Sequence, residues 1–151
     1  MKKITKQLIF IYFLFVIVKS LLSYFIPSPS AFSDEYIYTK MARSIFYSFN
    51  FDIHGSPSHA FLPLYPLALS FSYIFKDMQV AYIIMKIINS FLSSLIIFPA
   101  WLISKEFMSK KKAILPALLV SVIPATFSFS PYIMAENLFY PLFLFTIFFT
   151  Y

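Results

Sequence analysis

Apolar residues run along this chain in long uninterrupted stretches, broken at intervals by short polar or basic segments. Residues 8–26 form the first stretch. As a helix it rises about 28 Å, which matches the hydrocarbon core of a bilayer. Lys19 is its only charge, placed toward its far end to snorkel or to face other helices. The run is too long for a signal-peptide core, and no small-x-small cleavage site follows it. Pro27 and Pro29 then break the helix. In DEYIYTKMARSIFYSF, Ser33 predicts an N-cap, with Asp34 and Glu35 in the first turn where the helix dipole favours anions. Ile37, Met41 and Ile45 make one apolar stripe, and Lys40, Arg43 and Tyr47 make another face. The spacing predicts an amphipathic helix for a membrane surface, too charged to span.

Residues 50–60 read as a polar loop carrying His54, Gly55 and His59. Two histidines five apart in a loop are a weak metal motif. Residues 61–75 are apolar again, but Pro63 and Pro66 stand near their start and the run falls short of the roughly 20 residues a span needs. They read as a helix lying in or re-entering the interface. Residues 80–103 make a second good span, with Lys86 and Asn89 in its first half. A basic loop with Lys105, Lys110, Lys111 and Lys112 follows. From 113 to 151 the only ionisable acid or base is Glu136. That length is close to two bilayer cores, so spans over 113–129 and 134–151 are expected, with a turn near Ser128 and Pro131.

Charge sets the orientation. Lys2, Lys3 and Lys6 place the N-terminus in the cytoplasm, and the basic loop at 105–112 belongs on the same side. An even number of crossings must lie between them. Residues 8–26 and 80–103 supply two, so 61–75 does not cross. The expected fold class is therefore all-α: a polytopic, multi-pass cell-membrane protein of about four transmembrane helices with juxtamembrane helices in an outer loop at 27–79. The chain reads as one N-terminal module over 1–151. It ends inside an apolar run, which points to a piece of a longer protein.

Composition agrees. The sequence has 151 residues, of which 60% are hydrophobic and 12% charged, where soluble domains carry about 25% charged residues. Mean hydropathy is +0.80. The absence of cysteine excludes disulfides, thiolate metal sites and a cysteine nucleophile. The formal charge of +6 comes from lysines flanking apolar runs, which is a membrane signature and not a nucleic-acid one.

Asp34 and Glu35, at the start of the amphipathic helix, and Glu136, at the start of the last span, fall on the same outer face by this topology. Acids at membrane depth cost about 2.5–3.5 kcal/mol on insertion scales, so they commonly have a task or a partner. Asp34 and Glu35 can also simply favour a helix start, and Glu136 can sit in headgroup water or neutralise Lys86.

Taken in order, the D-E pair followed by Tyr36 and Ala42, the P-x-Y-P stretch at Pro63–Leu64–Tyr65–Pro66, Lys86 near the outer end of a span, the basic inner turn and Glu136 in MAENLF resemble the N-terminal half of the GT-C membrane glycosyltransferases. The resemblance is to protein O-mannosyltransferase and aminoarabinose-transferase-like enzymes. Here His59, Ala60 and Phe61 precede the proline stretch, where that family often has a charged residue. The resemblance implies a GT-C-like module that moves a sugar from a polyprenyl-phosphate donor to an acceptor protein or glycolipid at the outer membrane face. It implies Asp34 as the base that takes the acceptor's proton and Glu35 as an orienting group. Glu136 is implied as a second acceptor-side contact, or as a partner of Asp34 in holding a divalent metal cation. Lys86, with Arg43 second, is implied to neutralise the lipid phosphate, and His59 and Tyr65 to contact substrate. Two other readings stay open. A small transport protein would line a polar path with Glu136, Lys86 and Asn89. A non-catalytic remnant would only assemble.

Overall fold

The computed structural model describes residues 2–30, 33–57 and 63–150. The protein is all-α, with 75% of residues helical. Helix α1, Lys2–Tyr24, contains no proline or glycine. Its inward stripe includes Leu8, Val16, Lys19 and Ser23, while Phe10, Phe13, Ile17, Leu21 and Leu22 face out. Lys19 is 0% exposed and Phe10 is 70% exposed. That is the reverse of a helix in a water-soluble protein, whose apolar stripe turns inward.

Helix α2, Ser33–Ser48, carries Asp34 and Glu35 in its first turn. Met41 and Ile45 of the expected stripe are buried and Ile37 is half-buried, while Ala42, Glu35 and Thr39 are buried as well. The expected cap needs a correction: Ser33 is already helical, and position 32 lies outside the described residues. In the segment read as loop, strands β1, Asp52–Ile53, and β2, Ser56–Pro57, pair antiparallel. His54 (φ 54°) and Gly55 (φ 76°) turn the hairpin. Both central residues are left-handed, as a type I′ turn requires, and the chain's single glycine takes one of the two positions.

Helix α3, Leu64–Ser70, runs into a 3₁₀ turn at Phe71–Ile74. At about 1.5 Å per residue a seven-residue helix is too short to cross a bilayer. It lies against α2, and Tyr65, Leu69 and Tyr73, spaced four apart, bury into a cluster with Ala42, Met85 and Ile133. Helix α4, Met78–Ser94, is capped by Asp77, whose carboxylate accepts from the Gln79 N–H at 2.7 Å and the Val80 N–H at 3.2 Å. Helix α5, Ile97–Phe107, continues it after a two-residue break. Pro99 explains the break: it has no N–H to offer the Leu95 carbonyl and its ring crowds that position.

Helix α6, Ile114–Val122, stops before Pro124, and helix α7, Pro124–Phe127, is a single turn. The expected span over 113–129 is therefore two short helices and not one continuous rod. The chain then turns at residues 128–135, where the serine and proline content predicts it. Helix α8, Glu136–Thr150, closes the described chain. Among the described residues, two helical stretches are long and apolar enough to cross a membrane: Lys3–Tyr24 and Met78–Phe107, the latter counted through the Pro99 break.

The helices pack around two apolar clusters. One joins α2, α3, α4 and Ile133. The other joins Leu8 on α1 with Ile97 and Ala100 on α5 and Ala117 on α6, with Leu144 of α8 against it. Helix α1 runs antiparallel to α4 and α5, since Lys86 bonds to Ser23, Lys19 to Ser93, and Leu8 meets Ile97. A polar bridge ties α3 to α4 and the 128–135 turn: Tyr65 Oη donates to Asn89 Oδ1 at 2.9 Å, and Asn89 Nδ2 donates to the Tyr132 carbonyl at 2.8 Å. Asn89 is 0% exposed, so cutting the side chain back orphans both partners. We expect Asn89→Ala to lower stability by about 1–3 kcal/mol. Thermal unfolding in detergent checks it, and an unchanged Tm counts against the bridge.

Candidate functional site

The acids gather where α2 and α8 begin. Asp34 and Glu136 are both half-buried, and both act on the Tyr38 hydroxyl. Burial raises the Tyr38 pKa above its ordinary value, and the charges of Asp34 and then Glu136 raise it further. Asp34 stands one helical turn before Tyr38 on α2. Glu136 arrives from the far end of the sequence, and Asn137 places it. The Asn137 Nδ2 donates to the carbonyls of Phe129 at 3.1 Å, Tyr132 at 3.1 Å and Met134 at 3.0 Å, clamping the turn that leads into α8. Sequence reading passed over Asn137 because an asparagine beside a helix start is ordinary there.

Glu35 behaves differently from Asp34. It is 1% exposed. Its Oε2 accepts from the Ser30 N–H and Oγ–H, and its Oε1 is buried with no hydrogen-bond partner. Lys86 lies close enough for the Glu35 charge to act on it. The Lys86 ammonium donates to the carbonyls of Ser23, at 3.2 Å, and Ile26, so it closes the C-terminal end of α1. An ammonium has three N–H groups, and these contacts use two.

Two cavities open at this end. The first, about 430 Å³, is a largely apolar groove between α1 and α4, with Leu21, Ile26, Ile83, Lys86 and Ile87 among its lining residues. The second, about 380 Å³, is a chamber that Glu35, Lys40 and Arg43 line with Tyr36, Tyr73 and Tyr82. Tyr82 belongs to both walls. Arg43 lines the chamber and not the groove that Lys86 lines, so the first and second candidates for the phosphate stand in different cavities.

Other expected residues take other places. Tyr65 is buried, its hydroxyl bonds to Asn89, and it lines neither cavity. Its phenol is pushed well above its ordinary pKa, chiefly by burial, so it acts as a packing and tethering residue. His59 lies outside the described residues. His54 stacks on Tyr36 with ring centroids 5.8 Å apart. Among the described residues, no three His, Asp or Glu side chains come together as a metal site. Asp34 and Glu136 supply two carboxylates, and a divalent cation held there would draw its remaining oxygens from water or a substrate phosphate.

Of the polar groups of a transport path, Asn89 and Lys86 are engaged within the protein. Both ends of the Asn89 amide are bonded within the protein. Lys19 is buried on the inner face of α1, donating to Ser93 Oγ at 3.0 Å and to the Thr126 carbonyl at 3.2 Å, with its ammonium 5.9 Å from the centre of the Phe127 ring. Of the two placements the sequence allows for Lys19, the structure selects the one facing other helices.

The shared influence on Tyr38 is measurable. A neighbouring carboxylate favours the neutral phenol and raises its pKa. We expect Glu136→Gln and Asp34→Asn each to lower the Tyr38 pKa, with burial keeping it above 10.0 in both. Tyrosine-ring NMR titration, with Tyr38→Phe for assignment, reads this. A Tyr38 pKa unmoved by Glu136→Gln would show that α8 does not bring its acid to α2.

Comparison with known proteins returns no match to a family model, to a curated protein or to a solved structure.

Proposed function

We propose that this chain is the N-terminal membrane module of a GT-C-type glycosyltransferase, taking a sugar from a polyprenyl-phosphate donor. The observation that carries the reading is the largely apolar groove between α1 and α4, which the buried Lys86 lines and which shares Tyr82 with a chamber lined by the buried Glu35. A prenyl phosphate needs a lipid-like slot and a positive charge to meet its phosphate, and the groove's apolar walls with Lys86 support that reading.

In this reading the helices cross the bilayer four times, with the N-terminus in the cytoplasm. The outward apolar face of α1 and the two long apolar helices support membrane insertion. The lysine-rich flanks support the orientation. Lys3 and Lys6 lie beside Ile114 at the start of α6, and Lys105 sits 5.5 Å from the Phe148 ring near the end of α8. All of these are at the end opposite Asp34 and Glu136. Helices α6 and α7 together make the third crossing, and their break is tolerated where neighbouring helices cover the freed backbone.

The acceptor hydroxyl gives its proton to Asp34 as its oxygen bonds to the anomeric carbon of the sugar. The bond from that carbon to the phosphate oxygen breaks, and the polyprenyl phosphate leaves with the electron pair, its charge stabilised by Lys86. Asp34 suits the base because it is half-exposed at a helix N-terminus. Glu35 is held by Ser30 and orients the loop before α2. Glu136 is the acceptor-side contact. The acceptor is a protein or a glycolipid at the membrane surface.

We expect Asp34→Asn to slow transfer by about 10²–10⁴-fold, the usual contribution of a positioned base, with membrane insertion intact. Transfer of labelled sugar from a polyprenyl-phosphate donor in proteoliposomes is the measurement, and wild-type turnover by the variant removes the assignment. Lys86→Met is expected to weaken donor binding by about 1.5–3 kcal/mol, the range for hydrogen bonds to charged groups, and to leave acceptor binding unchanged. Equal donor affinity in both proteins counts against the groove.

A further inference from the structure

The lysine-rich end of the bundle carries charge that the fold leaves uncompensated. Of the chain's six acids, only Glu106 stands at this end; the others begin α2 and α8, cap α4 or lie in the hairpin beside α2. Glu106 is paired with Lys105 at 3.6 Å. Lys3 and Lys6 of α1, and Lys110, Lys111 and Lys112 of the turn before α6, are exposed and meet no carboxylate at ion-pair distance among the described residues. Like charges brought to one end from two distant parts of the sequence repel one another unless an anion joins them.

A cavity of about 420 Å³ lies between the start of α1 and the start of α6, with Lys3, Lys6, Phe10, Ile11 and Ile114 among its lining residues. Lys111 and Lys112 precede Ile114 by three and two positions on a hydrogen-bonded turn. The Ile114 N–H donates to the Lys111 carbonyl at 3.3 Å, and the Leu115 N–H donates to the Lys112 carbonyl at 3.1 Å. The Trp101 Nε1–H donates to the Lys110 carbonyl at 3.1 Å and ties the same turn to α5. Both lysine groups therefore stand on ordered backbone beside one cavity.

The lining is graded along α1. Lys3, Lys6 and Phe10 are spaced three and four apart, on one face of the helix. Phe10 lies about 10 Å further along the axis than Lys3 and about 6 Å further than Lys6. Beyond the lysines the walls are the Phe10 ring, 70% exposed, with Ile11 and Ile114. A soluble anion would use only the ammonium rim. A phospholipid uses both parts, with its phosphate at the rim and an acyl chain on the apolar walls.

We propose that this furrow binds one anionic phospholipid, its phosphate held between Lys3 and Lys6 on one side and Lys111 and Lys112 on the other, and its acyl chain lying along Phe10, Ile11 and Ile114. Charge-assisted bonds from ammonium to phosphate supply the attraction, and basic pockets between membrane helices are suited to such headgroups. The furrow lies at the opposite end of the bundle from the sugar donor's groove. The proposal rests on membrane insertion and not on glycosyl transfer.

The test places the whole chain in nanodiscs of phosphatidylglycerol and phosphatidylcholine in equal amounts and reads the retained lipid by native mass spectrometry. We expect phosphatidylglycerol to be retained as a single copy, preferred by at least about tenfold. K6Q and K3Q, at exposed positions, are each expected to cut that preference about fivefold, the usual worth of one lysine at an anionic membrane surface. K105Q removes the same charge at the same end but outside the furrow, and is expected to leave the preference unchanged. Glycerol 3-phosphate, matched in concentration to the lipid, is expected to displace none of it. A chain that inserts and takes lipids at the bulk ratio overturns the proposal. So does a preference that K6Q and K3Q leave intact, or one that K105Q lowers equally, which is a diffuse effect of charge. Displacement by glycerol 3-phosphate overturns it too, because the site is then one for a free anion. A chain that does not enter the nanodisc ends both this proposal and the membrane reading.

Discussion

Two lysine ammonium groups inside an apolar bundle set the terms for everything around them. A buried charge without hydrogen bonds costs several kcal/mol, and among the described residues neither Lys19 nor Lys86 meets a carboxylate at ion-pair distance. Each is satisfied by oxygen atoms on a neighbouring segment. Lys19 reaches from α1 to Ser93 on α4 and to the Thr126 carbonyl on α7. Lys86 reaches from α4 back to the last carbonyls of α1. The two contacts run in opposite directions across the same pair of helices, so they fix both the antiparallel sense and the register. Sliding α1 by one turn would strand both charges. With polar groups committed to the inside, the outward face of α1 is left apolar, and Lys86 lines the cleft between α1 and α4.

That register positions the rest of the site. Once α4 is fixed, Asn89 holds Tyr65 on one side and the Tyr132 carbonyl on the other. The first contact seats α3 and, through Ala42 in the shared cluster, α2 with its acids. The second, with the Asn137 clamp, orients α8 so that Glu136 approaches Tyr38. The fold thus brings residues from both ends of the sequence to one phenol without any direct contact between α1 and α8 at that end being required. The chain has one tightly determined polar spine and an apolar periphery, an arrangement suited to a surrounding solvent that is itself apolar.

Much of this was legible in the residues. Uninterrupted apolar runs mark α1 and the α4–α5 rod, and the D-E pair and its apolar stripe mark α2. Serine and proline mark the turn before Glu136. The prolines Pro99 and Pro124 also announce the two helix breaks, but a hydropathy reading over 80–103 and 113–129 averages across them. The site was legible only in part. Glu35 and Asp34 are adjacent and chemically alike, and only the fold of the preceding loop, which brings Ser30 to one of them, separates a buried orienting group from a half-exposed one. The resemblance implies Tyr65, in the P-x-Y-P stretch, as a binding residue, yet its hydroxyl is committed to Asn89, a tertiary contact that spacing cannot show. The residues offer Lys86 and, second to it, Arg43 for the phosphate, and with α2 seated on α3 the two line separate cavities. The hairpin at His54 and Gly55 has strands of only two residues, too short to leave an alternating pattern.

The central claim is that the acidic end, with its groove and chamber, and the lysine-rich end face opposite sides of a membrane. The natural absence of cysteine makes this directly measurable with single-cysteine variants. Ser33→Cys and Ser109→Cys, each expressed in cells and exposed to a membrane-impermeant maleimide, give the comparison. The account predicts labelling of Ser33→Cys in intact cells and labelling of Ser109→Cys only after the membrane is permeabilised. Labelling of both positions from the same side would contradict it.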